Sequence, residues 1–232
     1  LTRFLARQGA RLVIASRDKE ALEELAAGER TQGWDVEVAF LDLAEPESIA
    51  KLTEKVLASH GRIDGLVNNA VSRPMQKLAD PAEAWVESMK VNATGFFLLS
   101  RSVGEIMQRQ KGGSIVNIAS IQGMVGSNEF LYEGTEMTSP PDYFFHKGGM
   151  INLTRYLASA FGPRGVRVNC LSPGGFFNNQ PSEFVERYNK MTMLGRMADD
   201  NDLGGAVVFL LSDASSYITG VNLPVDGGYT AK

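Results

Sequence analysis

A chain of 232 residues, 44% of them hydrophobic, is long enough for one large domain with a full core. A net charge of −4 gives no electrostatic case for nucleic acid or an anionic membrane as partner. The single cysteine, Cys170, excludes an intrachain disulfide and fits a reducing, cytoplasmic setting. Two histidines, His60 and His146, with no clustered cysteines leave no expected metal site. Apolar runs such as Ala206–Leu211 are too short to span a bilayer, and no signal-peptide pattern is visible.

In chain order, the first ten residues, Leu1–Ala10, read as a helix already under way. Strand-like runs follow at Arg11–Ala15, Val36–Leu41, Ile63–Val67, Ser114–Ala119, Val166–Leu171 and Val221–Val225. Helical patterns lie between them near Lys19–Ala27, Pro46–His60, Pro81–Gln110, Tyr143–Phe161 and Asn201–Leu211. Near-continuous apolar strands joined by helices predict a parallel sheet covered on both faces: one α/β domain, doubly wound, over residues 1–232. Such sheets bind ligands beyond the carboxyl ends of their strands. The residues to read there are Ser16-Arg17, Asp42-Leu43, Asn69-Ala70, Ser120 and Pro173-Gly174. An arginine after the first run is able to clamp a phosphate, and otherwise is a surface residue. Asp42 is placed either to take an adenine amino group or to cap the helix after it, and Asn68-Asn69 either to meet a ligand or to make an Asx turn.

The stretch Pro141-Asp142-Tyr143-Phe144-Phe145-His146-Lys147 puts Tyr143 and Lys147 four apart on one helical face. One charge at about 5 Å in an effective dielectric of about 20 is worth about 3 kcal/mol, roughly two pKa units, enough to make a phenol a usable acid or base. His146 sits off that face without an evident partner. Tyr143, Lys147, Met150, Ile151, Thr154, Ala158 and Phe161 form one stripe of this helix, and Phe145, Gly149, Leu153, Tyr156 and Ala160 form a second. A helix apolar on two faces is expected to be buried on both.

Asn68-Asn69-Ala70, Asn92, Ser120, Tyr143-x-x-x-Lys147, Pro173-Gly174 and the tail Ser212-Asp213-Ala214-Ser215-Ser216-Tyr217-Ile218-Thr219-Gly220 to Val225-Asp226-Gly227-Gly228, in that order, resemble the short-chain dehydrogenase/reductase family. The resemblance implies a Rossmann-like fold and a secondary alcohol/ketone interconversion with NADP(H), or less favoured NAD(H). Ser120 would bond the substrate oxygen, Tyr143 would pass its proton, Lys147 would assist Tyr143 and hold the nicotinamide ribose, and Asn92 would anchor a water chain. Cofactor contacts would fall on Ser16, Arg17, Asp42, Leu43, Asn69, Ala70, Tyr143, Lys147, Pro173, Gly174 and Phe176, with Ser16-Arg17 similar to the NADP-preferring pattern. The family's opening strand and glycine-rich turn are absent from this chain and are expected to precede Leu1, the strand lying at the centre of the sheet. Val71 stands where the family usually has glycine, and Asn178 where a threonine is frequent.

The segment Met124–Asp142, longer than the family's usual spacing between serine and tyrosine, carries Glu129, Glu133, Glu136 and Asp142 without a lysine or arginine. With Asn178-Asn179-Gln180 it is expected to wall a pocket for a sugar- or polyol-like substrate. Segments Leu131–Pro141 and Asn178–Pro181 are similar to those of family members in sugar and glycan metabolism. An acyl-carrier ketoreductase, or a catalytically silent homologue acting as a binding or scaffold protein, is the alternative. The second stripe of the Tyr143 helix implies a homodimer or homotetramer.

Overall fold

A computed structural model describes residues 1–231 of the chain. The elements run α1 (Thr2–Arg7), β1 (Leu12–Ser16), α2 (Lys19–Arg30), β2 (Val36–Phe40), α3 (Pro46–His60), β3 (Gly65–Asn68), α4 (Ala82–Met89), α5 (Phe96–Gln110), β4 (Gly113–Ile118), α6 (Pro141–Phe161), β5 (Val166–Pro173), α7 (Ser182–Met191), α8 (Gly204–Leu211) and β6 (Asn222–Val225). Every paired strand is parallel, as in an α/β protein whose crossovers are helices. The strands form two sheets, β1–β2 and β3–β4–β5–β6.

Alternation along the strands decides which helices they meet. On β4, Ile115 joins a cluster with Leu99, Val103 and Met107 of α5, Leu157, Ala158 and Phe161 of α6, and Ile49 of α3. Its neighbour Val116 faces the other way, packing with Leu171 of β5 and Leu203, Val207 and Leu210 at α8, where Leu5 of α1 and Leu1 just before it also pack. Helices thus cover both faces of the four-stranded sheet. The close seat of α1 on α8 depends on Gly204, where a Cβ would lie 2.0 Å from the Phe4 ring.

Three expectations of local structure are corrected. The single helix expected over 81–110 is α4, a wide π turn at Lys90–Gly95, and α5. The helix expected from Asn201 starts at Gly204, because the Asp202 carboxylate instead accepts the Asp199 N–H and pairs with Arg196. Helix α7 had no expected counterpart. It buries only Phe184 and Tyr188, too sparse an apolar stripe to stand out in a polar stretch.

Candidate active site

Pro141 opens α6 at the first helical position, where its missing N–H costs nothing and its fixed φ suits the helix. Tyr143 and Lys147 then fall one turn apart, with Lys147 Nζ 5.6 Å from the centre of the Tyr143 ring. Lys147 is 3% exposed, and its ammonium donates to the Ile118 carbonyl at 2.6 Å, tying α6 to the end of the strand that delivers Ser120. Gly123 permits that approach: a Cβ there would lie 2.6 Å from the Lys147 carbonyl carbon. Ser120 is buried and caps the 121–123 turn, its Oγ accepting the Gln122 N–H at 3.2 Å. Burial pulls the Lys147 pKa down to about 8; the Cys170 sulfur opposes this and the Arg73 charge adds to it.

The π turn at Lys90–Gly95 widens the helix by one residue, a distortion that recurs at functional sites, and here Asn92 is buried within it. Asn92 Oδ1 accepts the Ser72 N–H at 2.9 Å, while Nδ2 donates to the Ser72 carbonyl at 2.7 Å and to Ser88 Oγ at 3.0 Å. Both Nδ2 protons are therefore spent, and what Asn92 retains for a water chain is a lone pair on Oδ1. Ser88 Oγ in turn donates a hydrogen bond to Asp142 Oδ2. Gly95 lets this helix cross the second strand–helix connection: a Cβ there would lie 2.1 Å from the Leu43 carbonyl oxygen. A second amide chain stiffens the site from below. Asn68 Nδ2 donates to Asn117 Oδ1 at 2.8 Å, and Asn117 Nδ2 to Thr154 Oγ1 at 2.9 Å, linking β3, β4 and α6.

His146, expected off the Tyr143–Lys147 face and without a partner, is a ring neighbour of Tyr143 one turn along α6. It stands edge-on to the Tyr143 ring at 5.2 Å between centroids. Burial, then the charges of Lys147 and Arg73, push its pKa down to about 3. Neither ring nitrogen has a hydrogen-bond partner among the described residues, and the same holds for Asp142 Oδ1. Arg73, which sequence reasoning passed over, lays its guanidinium over the Tyr143 ring at 5.0 Å. Its one sequence signal is position, three residues beyond Ala70 in the connection after β3.

The Met124–Asp142 segment is not an acidic wall throughout. Asp142 turns into the buried cluster with Ser88, and Glu129, Glu133 and Glu136 are exposed. The packed side of the segment is apolar and aromatic: Leu131, Tyr132 and Met137 lie against Phe184 and Tyr188 of α7. Gln122 Nε2 donates to the Tyr132 hydroxyl at 3.1 Å, and Arg187 donates to the carbonyls of Phe130 and Glu133. The amides after β5 are partly consumed by their own loop. Gln180 accepts the Asn178 N–H at 2.7 Å and donates to the Phe176 carbonyl at 2.6 Å.

The other expected cofactor residues lie at strand ends. Ser16 Oγ is engaged with the Asp18 backbone, while Arg17 is exposed and carries no ion pair among the described residues. One Asp42 oxygen accepts the Ala44 N–H at 2.9 Å, the helix-entry role that competes with adenine binding. Asn69 and Ala70 are exposed, Pro173 is buried at the end of β5, and Gly174 and Phe176 are half-buried. A Cβ on Gly174 would lie 2.9 Å from the Asp226 Cα, so the β5 turn sits tight on the tail.

A family model described as enoyl-(acyl carrier protein) reductase matches residues 1–230. The 3-oxoacyl-[acyl-carrier-protein] reductase FabG of Thermotoga maritima is 30% identical over 232 residues, covering 98% of this chain and 90% of its own. The galactitol 2-dehydrogenase (L-tagatose-forming) of Cereibacter sphaeroides is 33% identical over 245 residues, covering 99% and 89%. A gluconate 5-dehydrogenase from Burkholderia cenocepacia J2315, solved in complex with NADP and tartrate, matches with a TM-score of 0.89 at 31% identity, over 99% of this chain and 89% of that one.

Proposed function

The chain belongs to the short-chain dehydrogenase/reductase family, and on that premise we propose that it is an NADP(H)-dependent oxidoreductase interconverting a secondary alcohol and a ketone on a sugar- or polyol-like substrate. The observation that carries this reading is the gathering of Tyr143, Lys147 and the Ser120 turn where α6 meets the end of β4. NADP, when bound, supplies the hydride acceptor or donor. The residues present fit it: Arg17 has an uncommitted guanidinium at the end of β1 for a 2′-phosphate. Lys147 has three donors and one acceptor among the described residues, leaving two N–H groups for ribose hydroxyls. Ser16, Asp42, Leu43, Asn69 and Ala70 would meet the adenosine half, and Pro173, Gly174 and Phe176 the nicotinamide half.

On this reading Ser120 Oγ turns from the Gln122 N–H to the substrate oxygen and holds it. As phenolate, Tyr143 would take the proton from the alcohol; as phenol, it would give that proton to the oxygen of the ketone being reduced. Lys147 and Arg73 place two positive charges against the ring on which negative charge develops, which favours the transition state through a preorganised field. Asn92 keeps the Ser72–Arg73 connection in place. The exposed face of α6, with Phe145 60% and Tyr156 67% exposed, is where a second copy of the chain would pack in a homodimer or homotetramer. The one cysteine, Cys170, is buried and free, in keeping with a reducing, cytoplasmic setting.

Calorimetric titration with NADPH and with NADH tests the cofactor assignment, and a panel of polyols, aldoses and a 3-oxoacyl thioester, read by the absorbance of the reduced nicotinamide, tests the substrate. Tight NADPH binding, weakened by Arg17→Ala, with polyol turnover is expected. Preference for NADH sinks the Arg17 assignment, turnover of the thioester alone sinks the polyol one, and binding of neither cofactor sinks both.

A further inference from the structure

Arg73 stands on an anchored stretch of backbone, with its guanidinium over an aromatic ring and outside every ion pair among the described residues. The residue before it is gripped on both sides by the buried amide of Asn92, at 2.9 Å on the Ser72 N–H and 2.7 Å on the Ser72 carbonyl. The residue after it is Pro74, which restricts Arg73 to extended backbone, and Met75 beyond that is buried in the protein. The Arg73 carbonyl itself accepts from Gln76 Nε2 at 3.3 Å. From this anchored backbone the guanidinium reaches the face of the Tyr143 ring, 5.0 Å from its centre. There its donors have no carboxylate or carbonyl partner among the described residues, and the residue is exposed.

The surroundings are net positive. The Arg73 charge acts on both Lys147 and His146, lowering the pKa of each. The neutral His146 carries no charge to offset it. The one carboxylate beside Tyr143 in sequence, Asp142, is 1% exposed and is held by Ser88, while those of Glu129, Glu133 and Glu136 are exposed to solvent. A guanidinium fork with free donors matches the paired oxygens of a carboxylate or phosphate, and such charge-assisted bonds are the strong ones.

We propose that Arg73 anchors an anionic group of the substrate, carboxylate or phosphate ester, so that among sugar- and polyol-like substrates a polyhydroxy acid or sugar phosphate is preferred to its neutral counterpart. This rests on the reading that Tyr143 and Ser120 address the reacting carbon. With the anion on Arg73 and the reacting oxygen on Tyr143 and Ser120, the substrate is held at two points, which fixes the face it turns to the hydride carrier. Arg73 is then a specificity residue that sequence position alone did not mark.

The test is binding of gluconate, glucose 6-phosphate and sorbitol to the full chain saturated with NADP, by calorimetry, in wild type and in Arg73→Gln and Arg73→Lys. Wild type is expected to bind one of the two anions more tightly than sorbitol, and which one separates carboxylate from phosphate. Arg73→Gln is expected to weaken that anion by about 10- to 100-fold while leaving sorbitol and NADP within a few-fold. Arg73→Lys is expected to recover part of the loss, since charge survives but the fork does not. Equal binding of sorbitol and both anions by wild type overturns the proposal. So does a loss of NADP affinity in Arg73→Gln, which would make Arg73 a cofactor residue. An equal fall in kcat on neutral and anionic alcohols, with KM unchanged, also overturns it, placing the action of Arg73 on Tyr143 alone. Turnover of neutral alcohols with no anion preference leaves the oxidoreductase reading standing and removes the anchor. Anion binding lost in Arg73→Gln, with no turnover of any alcohol or ketone, does the reverse.

Discussion

Lys147 enters the fold as a cation with one protein acceptor, the Ile118 carbonyl, and burial first of all brings its pKa to about 8 from the ordinary 10.5. The lowered value means that the folded protein holds this proton less well than the unfolded chain. Stability is therefore penalised below about pH 8 and rises between about pH 8 and 10.5, by up to about 1.4 kcal/mol per unit. Lys147→Met is expected to abolish activity yet raise the melting temperature at pH 7, with an advantage that shrinks as the pH approaches 10.5. Thermal unfolding across that range checks it, and an advantage independent of pH would refute the ionisation argument. His146 acts at the other end of the scale. Its folded pKa of about 3 lies below the usual 6.5, so its contribution is complete above pH 6.5 and is lost as pH falls toward 3. His146→Phe is expected to flatten the stability profile between those values by about one proton, or about 1.4 kcal/mol per unit, read by urea midpoints at pH 7 and pH 5. Tyr143→Phe removes the proton carrier and is expected to lower kcat by roughly 10²- to 10⁴-fold while sparing NADPH affinity. Equal loss of binding and turnover would make Tyr143 a structural residue.

At the scale of elements, the site depends on close approaches that side chains would block. Gly95 passes the Leu43 carbonyl where a Cβ would sit at 2.1 Å, against backbone and not a movable side chain. Gly95→Ala must therefore push the Asn92 turn away from the connection after β2. The expected cost is about 1–3 kcal/mol in urea unfolding, the range for overpacking. Because Asn92 grips Ser72 on the other side of the same turn, Arg73 and Tyr143 should lose their contact as well, and kcat should fall with stability. A variant that is destabilised but fully active would separate the turn from the site.

For the whole molecule, the outer face of α6 is an apolar surface that the chain itself leaves uncovered. Phe145 meets Trp85 of α4 at 5.1 Å between ring centroids, and Val86, Phe145 and Tyr156 remain exposed. If copies of the chain pack there, as proposed, Phe145→Glu with Tyr156→Glu should yield a monomer by light scattering while each subunit keeps its fold by circular dichroism. A wild-type monomer would remove the proposal. Of the two apolar stripes of α6, the one carrying Met150, Ile151, Ala158 and Phe161 is buried within the chain, while Phe145 and Tyr156 of the other are exposed.

What the sequence settled by itself is what spacing settles. Parallel α/β architecture follows from apolar strands alternating with amphipathic helices. The Tyr143–Lys147 pair follows from 3.6 residues per turn, and α3 begins and ends where its proline start and glycine stop require. Tertiary structure decided the rest, because each remaining feature joins segments far apart in the chain. The Lys147 ammonium is buried because Gly123 lets another turn close over α6. Asp142 is drawn inward by Ser88, a residue from α4, and so leaves the wall in which its neighbours in sequence placed it. Arg73 reaches the Tyr143 ring because Asn92, twenty residues beyond Ser72, fixes the Ser72 backbone beside it. Periodicity is a local property of a chain, whereas burial and charge environment belong to whatever the fold brings alongside.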